Sequence, residues 1–193
     1  PELLKFMKDT GCVFINYGIE AMDNTVLKNM KKGLRTEQVI KGIEDTLEVG
    51  ISPGLNMMFG NYGDNQETLQ KAVDFLIKYD DFAQMRTIRP VTPYPGSPIY
   101  YDAIRDGKLK DVADFYENKH LNSDLLCVNY TELSDDEFYS CLADANKQLL
   151  ENYYKNARQY ALDQVDNLYV TRDANFRGFR HSSGGTSNVN MMA

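Results

Sequence analysis

Four prolines fall within nine residues in the run Arg89-Pro90-Val91-Thr92-Pro93-Tyr94-Pro95-Gly96-Ser97-Pro98-Ile99-Tyr100. No helix tolerates that density, and proline lacks the amide that a central strand must donate. An apolar, strand-like segment leads into the run, and Ser97-Pro98 leaves it in the order that starts a helix. The residues therefore predict the carboxyl end of a parallel strand, broken into a rigid turn ahead of a helix. In α/β sheets and barrels, ligands sit at that end. A strand stopped by prolines also leaves backbone carbonyls and amides free to face a ligand edge. A plain turn without a ligand is the competing account.

Elsewhere the sequence has an open architecture rather than a stapled one. Its 193 residues suffice for one ordinary domain, or one domain with an appendage, and 13 Tyr and 9 Phe supply a core. No apolar run approaches the ~20 residues of a membrane span, and the residues contain no signal-peptide pattern. The net charge of -7 argues against a general nucleic-acid surface. From residue 172 onward Arg172, Arg177 and Arg180 face Asp173 alone, so residues 1–171 carry 18 basic and 27 acidic side chains. The end also holds Ser182-Ser183-Gly184-Gly185-Thr186-Ser187 and reads as a flexible tail. Cys12, Cys127 and Cys141 are too scattered for a disulfide framework or a metal site. His120 and His181 are too few and too distant for a ligand set and read as surface or packing residues. A reducing cytoplasm is the expected compartment.

The periodicity gives an alternating order of elements. Leu3, Leu4, Phe6 and Met7 form an amphipathic helical turn closed by Gly11. Residues 12–20 read as a buried strand ending in Gly18 and Glu20. Asp23 or Asn24 caps a short helix with Val26, Leu27 and Met30, and a longer helix spans about Thr36 to Val49. Leu55 to Gly60 is the next strand, and Asp64 with Glu67 starts a helix in the manner of a capping box. A third strand, roughly Ala83 to Val91, delivers the proline run, and helix Pro98–Arg105 ends at Gly107. This is the rhythm of parallel βα units. Three strands are too few to close a barrel. From about Asp111 a looser aromatic stretch precedes a Ser134/Glu137 capping box and a helix to about Asp163. That helix is expected across the outside or bottom of the sheet. The chain thus divides into residues 1–110, 111–171 and 172–193.

Three motifs resemble one family. They are Tyr17-Gly18-Ile19-Glu20-Ala21 with Leu27-Lys28-Asn29-Met30-Lys31-Lys32-Gly33, then Phe59-Gly60-Asn61-Tyr62-Gly63-Asp64-Asn65-Gln66-Glu67-Thr68, then Pro93-Tyr94-Pro95-Gly96-Ser97-Pro98. In this order and spacing they resemble the fourth to sixth strand regions of radical S-adenosylmethionine enzymes. The likeness covers about residues 1–110 and is nearest the cobalamin-binding-type subgroup, also described as magnesium-protoporphyrin ester oxidative cyclase-like. It implies an α/β fold in which this chain supplies the C-terminal half of a partial (β/α)6 TIM-like barrel, followed by a helical extension. The family's chemistry is reductive cleavage of S-adenosylmethionine by a [4Fe-4S] cluster, giving a 5′-deoxyadenosyl radical that abstracts hydrogen from an unreactive carbon of a small-molecule substrate. Methylation, cyclisation or rearrangement follows, with cobalamin a further cofactor in this subgroup.

The resemblance carries over to named positions. Glu20 matches the polar position that holds the ribose or the amino-acid end of the cofactor, and a carboxylate there accepts bonds from hydroxyls or an ammonium group. Gly18 allows close approach; a capping or salt-bridged carboxylate is the plain alternative. The stretch from Asn56 to Gly60 matches the fifth-strand motif, with Met58 the candidate to pack on adenine or, more plainly, to fill the barrel core. Backbone atoms of Val91 and Thr92 match the adenine contact of the sixth strand, and Arg89 is a candidate contact to substrate or carboxylate. Ala21 stands where many members have serine, Tyr62 where proline is usual, and Asn56 and Gly63 where the motif has glycine and an acid.

The family's CxxxCxxC cluster loop has no counterpart in these residues, so the resemblance implies a piece of a longer protein, inactive alone, with cluster ligands upstream. Two other readings stand beside it: a non-catalytic binding module derived from such a barrel, and an unrelated TIM-barrel fragment such as an aldolase-like lyase. The last wants a catalytic lysine or acid–base pair at strand ends, and the three strands contain no lysine. A half-barrel with open strand edges is also expected to self-associate.

Overall fold

A computed structural model describes residues 2–176. Pro1, His181 and most of the expected tail lie outside the described residues. Helix α1 (Glu2–Asp9) leads into strand β1 (Phe14–Glu20), and two helices follow, α2 (Asn24–Asn29) and α3 (Thr36–Glu48). Strand β2 (Ser52–Phe59), helix α4 (Gln66–Lys78) and strand β3 (Arg89–Pro90) complete a three-stranded sheet in the order β1-β2-β3, parallel throughout. Helices α5 (Pro98–Arg105) and α6 (Val112–Asp114), a π-helical turn (Phe115–Lys119) and helix α7 (Asp135–Tyr169) finish the chain. This is an α/β fold. No helix among the described residues is long and apolar enough to cross a membrane.

The caps explain where the helices begin. Asp23 accepts from the amides of Thr25 and Val26 at the start of α2, and Ser97 accepts from the Tyr100 amide ahead of Pro98 in the first turn of α5. Ser134 and Glu137 form the expected capping box of α7, an arrangement that typically stabilises a helix by about 1 kcal/mol. Helix α4 differs from expectation. Its cap is Asn65, boxed with Thr68, because Asp64 is drawn into the preceding turn. There Asp64 accepts from the amides of Gly60 (3.0 Å) and Asn61 (2.8 Å) and from the Thr68 hydroxyl (2.9 Å).

The third strand is the largest correction. Ala83 to Val91 was expected to be extended, yet only Arg89 and Pro90 pair, opposite Met58 and Phe59. The segment before them is pulled away from the ladder by a buried ion pair. Arg86 contacts Asp80 at 3.2 Å and Asp81 at 2.7 Å, and Asp81 also accepts from the Ser52 hydroxyl. Backbone groups that lose a strand partner need another. The Asn146 side chain of α7 provides it for Ile88, accepting from its amide at 2.8 Å and donating to its carbonyl at 3.0 Å. Helix α7 also runs further than expected, to Tyr169, and the aromatic stretch contains a helical turn and a π-turn.

Alternation along β2 separates two faces. Leu55, Met57 and Phe59 are buried, whereas Asn56 is exposed and Met58 half-buried. The buried row joins Val73 and Leu76 of α4 and Phe138, Leu142, Ala145 and Leu149 of α7 in one core. The Phe59 and Phe138 rings stack with centroids 4.7 Å apart, adding roughly 0.5–1.5 kcal/mol to their burial. Helix α7 therefore lies on the outer face with α4, sharing the core of the strands. A second core of Val91, Tyr100, Ala103, Leu109, Phe115, Cys127, Val128 and Tyr130 gathers behind the proline run.

Candidate functional site

The face of β2 that carries Asn56 and Met58, opposite α4 and α7, opens on a cleft of about 650 Å³ at the carboxyl ends of the strands. Glu20, Asn56, Met58, Arg89 and Thr92 all line it, joined by Pro90, Tyr94 and Ser123. Register explains the convergence: Gly18 stands beside Asn56, Glu20 beside Met57, and Met58 beside Arg89. The row crosses the sheet from β1 to β3, a width of about 10 Å for two strand spacings. A second cleft of about 760 Å³ between α2 and α3 carries Lys28, Lys31 and Arg35 and none of the strand-tip residues.

At the β1 end, Glu20 is held by an irregularity. The register slips between Gly18 and Glu20, and bulges of this kind re-aim a side chain. Glu20 takes φ +76°, unusual for a residue with a Cβ. Its carboxylate Oε1 lies 3.2 Å from Lys32 Nζ, and both side chains are mostly buried. A Cβ at position 18 would sit 2.7 Å from the same Oε1 and 3.5 Å from Lys32 Nζ. The close approach expected over Gly18 is thus made by the Glu20 carboxylate and its lysine.

At the β3 end, Val91 does not line the cleft; its side chain is buried and its amide donates to the Phe59 carbonyl at 2.9 Å. Neither polar group of the peptide joining Val91 to Thr92 has a partner among the described residues. The two point in opposite directions, so at most one faces a ligand. The Thr92 carbonyl accepts from the Tyr94 amide at 3.0 Å, which fixes the turn. Arg89 extends from the sheet to Asp124, with Nε 3.0 Å from Oδ1.

Lys32, Tyr94, Ser123 and Asp124 escaped the sequence reading. Lys32 carried a usable signal, since Gly33 (φ +71°) marks a turn that returns it toward the strand tip. Ser123 and Asp124 carried none, being far from β3 in sequence. His120 was read as a surface or packing residue; its ring stacks on Phe115 at 5.0 Å and its Nε2 lies 3.3 Å from the Ser123 hydroxyl.

The residues suit an adenosyl group. A carboxylate for hydroxyls or an ammonium (Glu20), a soft thioether beside the sheet (Met58) and Thr92 at the proline run line one cleft. They do not suit an iron–sulfur cluster, because no three Cys, His, Asp or Glu side chains gather as ligands among the described residues. Burial also pushes the Cys127 thiol up to about 11.

The model of the Radical SAM superfamily matches residues 1–76. The chain is 30% identical over 125 residues to bacteriochlorophyllide d C-8(2)-methyltransferase of Chlorobaculum tepidum, covering 63% of this chain and 27% of that protein. It is 29% identical over 109 residues to an uncharacterized methyltransferase of Pyrococcus horikoshii, covering 56% of this chain and 23% of that one. Bacteriochlorophyllide d C-12(1)-methyltransferase of Chlorobaculum tepidum is 23% identical over 146 residues, covering 72% and 31%. The chain spans about a quarter to a third of the length of these curated relatives. Motifs, strand order and relatives agree in what they resemble: residues 1–76 match the radical S-adenosylmethionine superfamily, and the similarity to the methyltransferases runs beyond them.

Proposed function

We propose that this chain forms the adenosyl-cradling half of a radical S-adenosylmethionine enzyme that methylates an unreactive carbon of a small organic substrate. The observation that carries the reading is the meeting of Glu20, Met58 and Thr92, each from a different strand tip, on one cleft. Methyl transfer is favoured over cyclisation or rearrangement because the relatives are named methyltransferases. In this reading the three strands are the fourth to sixth of a partial (β/α)6 barrel. The [4Fe-4S] cluster would be held by cysteines outside these residues, and cobalamin would serve as methyl carrier. S-adenosylmethionine, when bound, supplies the cleavable sulfonium.

The tasks left to this chain are binding and exclusion of water. Glu20, aimed by the bulge and by Lys32, accepts from the ribose hydroxyls or the ammonium group. Met58 packs on the adenine face while the peptide at Val91–Thr92 meets its edge. Pro90 and Tyr94 shield that edge from water. Cys12, Cys127 and Cys141 are unbridged, which suits a reducing cytoplasm.

Equilibrium titration of the 193-residue protein with S-adenosylmethionine tests the reading. Glu20→Gln keeps the shape and removes the charge, and is expected to weaken binding about tenfold, the usual size for a hydrogen bond to a charged group. Equal affinity of wild type and Glu20→Gln, or no binding by the wild type, would sink the proposal.

A further inference from the structure

We propose that residues 150–169 of α7 form an interaction surface whose partner is the same segment of a second copy of this chain, paired antiparallel. The surface lies apart from the strand edges on which self-association was expected, and it does not depend on what the cleft binds.

Helix α7 has 35 residues, yet the ones it buries, Phe138, Leu142, Ala145 and Leu149, all lie in its first half. Residues 150–169 continue for about 30 Å without a buried side chain. A helix draws most of its stability from packing an apolar face, and this stretch has one. Leu150, Tyr154, Ala157, Ala161, Val165 and Leu168 recur at steps of three or four residues, which sets them in one stripe. By the same periodicity the stripe lies about a third of a turn away from the row that packs on the core. Tyr154 is 61% exposed and Val165 40%.

The stripe reads the same in both directions about Ala161. An antiparallel copy centred there sets Tyr154 against the partner's Leu168, Ala157 against the partner's Val165, and Ala161 against itself. A large residue meets a smaller one on either side, and alanine at the crossing lets the backbones approach. This is the self-complementarity that a two-fold interface requires.

Charge selects the direction. Lys155 and Asp166 are exposed on one flank of the stripe, and neither makes an ion pair among the described residues. Antiparallel pairing brings Lys155 beside the partner's Asp166, twice by symmetry. A parallel pair in register would set lysine against lysine and aspartate against aspartate, which repel. Two helices joined along this length cover on the order of 1,000 Å², near the lower bound for a specific interface, so the dimer is expected to dissociate in the micromolar range.

Sedimentation equilibrium of the 193-residue protein across that range is the test. All substitutions lie beyond the packed half of α7, and thermal melts followed by circular dichroism confirm that the variants fold. Wild type is expected to dimerise reversibly. Lys155→Asp and Asp166→Lys are each expected to weaken the dimer about tenfold, because each turns two attractive pairs into repulsive ones. The double variant, and an equimolar mixture of the two single variants, are expected to regain wild-type association, since both restore opposite charges across the pair. Ala161→Glu is expected to leave only monomer. A monomeric wild type overturns the inference. So does a dimer that Ala161→Glu leaves intact, as strand-edge pairing would, or one that the single reversals do not weaken, as a parallel pair would. Failure of the mixed variants to associate overturns it as well.

Discussion

Glu20 and Arg89 stand on the outer strands of the same sheet and face the same cleft, yet they are held by opposite means. Glu20 sits on a slipped register with left-handed backbone, folded over a glycine onto a half-buried lysine. Arg89 leaves a two-residue strand and reaches an equally exposed aspartate on a loop. Strain and burial fix a charge in one direction; an exposed pair lets it exchange. The difference teaches that one end is preorganised for a constant ligand feature and the other is open to replacement.

The largest test of this contrast lies beneath Arg89. Asn146→Ala leaves the Ile88 amide and carbonyl without their side-chain partner, and is expected to lower unfolding stability by about 2–4 kcal/mol in urea titrations. A loss below ~1 kcal/mol would mean that β3 is anchored by other contacts and that the Arg89 end is less dependent on α7 than argued. A smaller effect concerns the turn between the two ends. Burial raises the Asp64 pKa above its ordinary 3.8, outweighing the hydrogen bonds that lower it. The folded protein then keeps this proton to higher pH than the unfolded chain, so the stability Asp64 contributes is full at low pH and is lost as pH rises above 3.8 through the raised value. The stability of wild type relative to Asp64→Asn is expected to fall across that window; a difference that stays level with pH, or grows, contradicts the burial argument. The smallest change in stability belongs to Gly18→Ala, under ~1 kcal/mol, because the atom in the way is the far end of the Glu20 side chain, which another rotamer moves aside at the expense of its contact with Lys32. Its expected signature is weaker binding of 5′-methylthioadenosine. Unchanged affinity would show that the Glu20 geometry is not preorganised in the way described.

Much of the scaffold was legible because it rests on local signals. Asp23, Ser97-Pro98 and Ser134 with Glu137 cap helices within three residues of themselves, and the proline run falls where a strand stops. The third strand was misread because its fate is decided by Arg86, whose apolar neighbours suggest a strand while its charge seeks Asp80 and Asp81. Asp64 and Asn65 compete for one cap, and only the folded turn at Gly60 and Asn61 decides between them. In the cleft, five strand-tip residues were found by motif position, whereas Ser123 and Asp124 arrive through tertiary folding that leaves no mark on the sequence around Arg89.

Between the last paired residue of β3 and the cap of α7, the chain makes a long excursion that includes α5, α6 and the π-turn. The helix that shields the sheet on this side is α7, whose Asn146 and Phe138 are fixed to Ile88 and Phe59 however the intervening residues are arranged. That excursion carries a core of its own, with Tyr100, Ala103, Leu109, Phe115 and Tyr130 buried together, so the side chains it brings to the cleft are seated separately from the layers that α7 ties to the sheet.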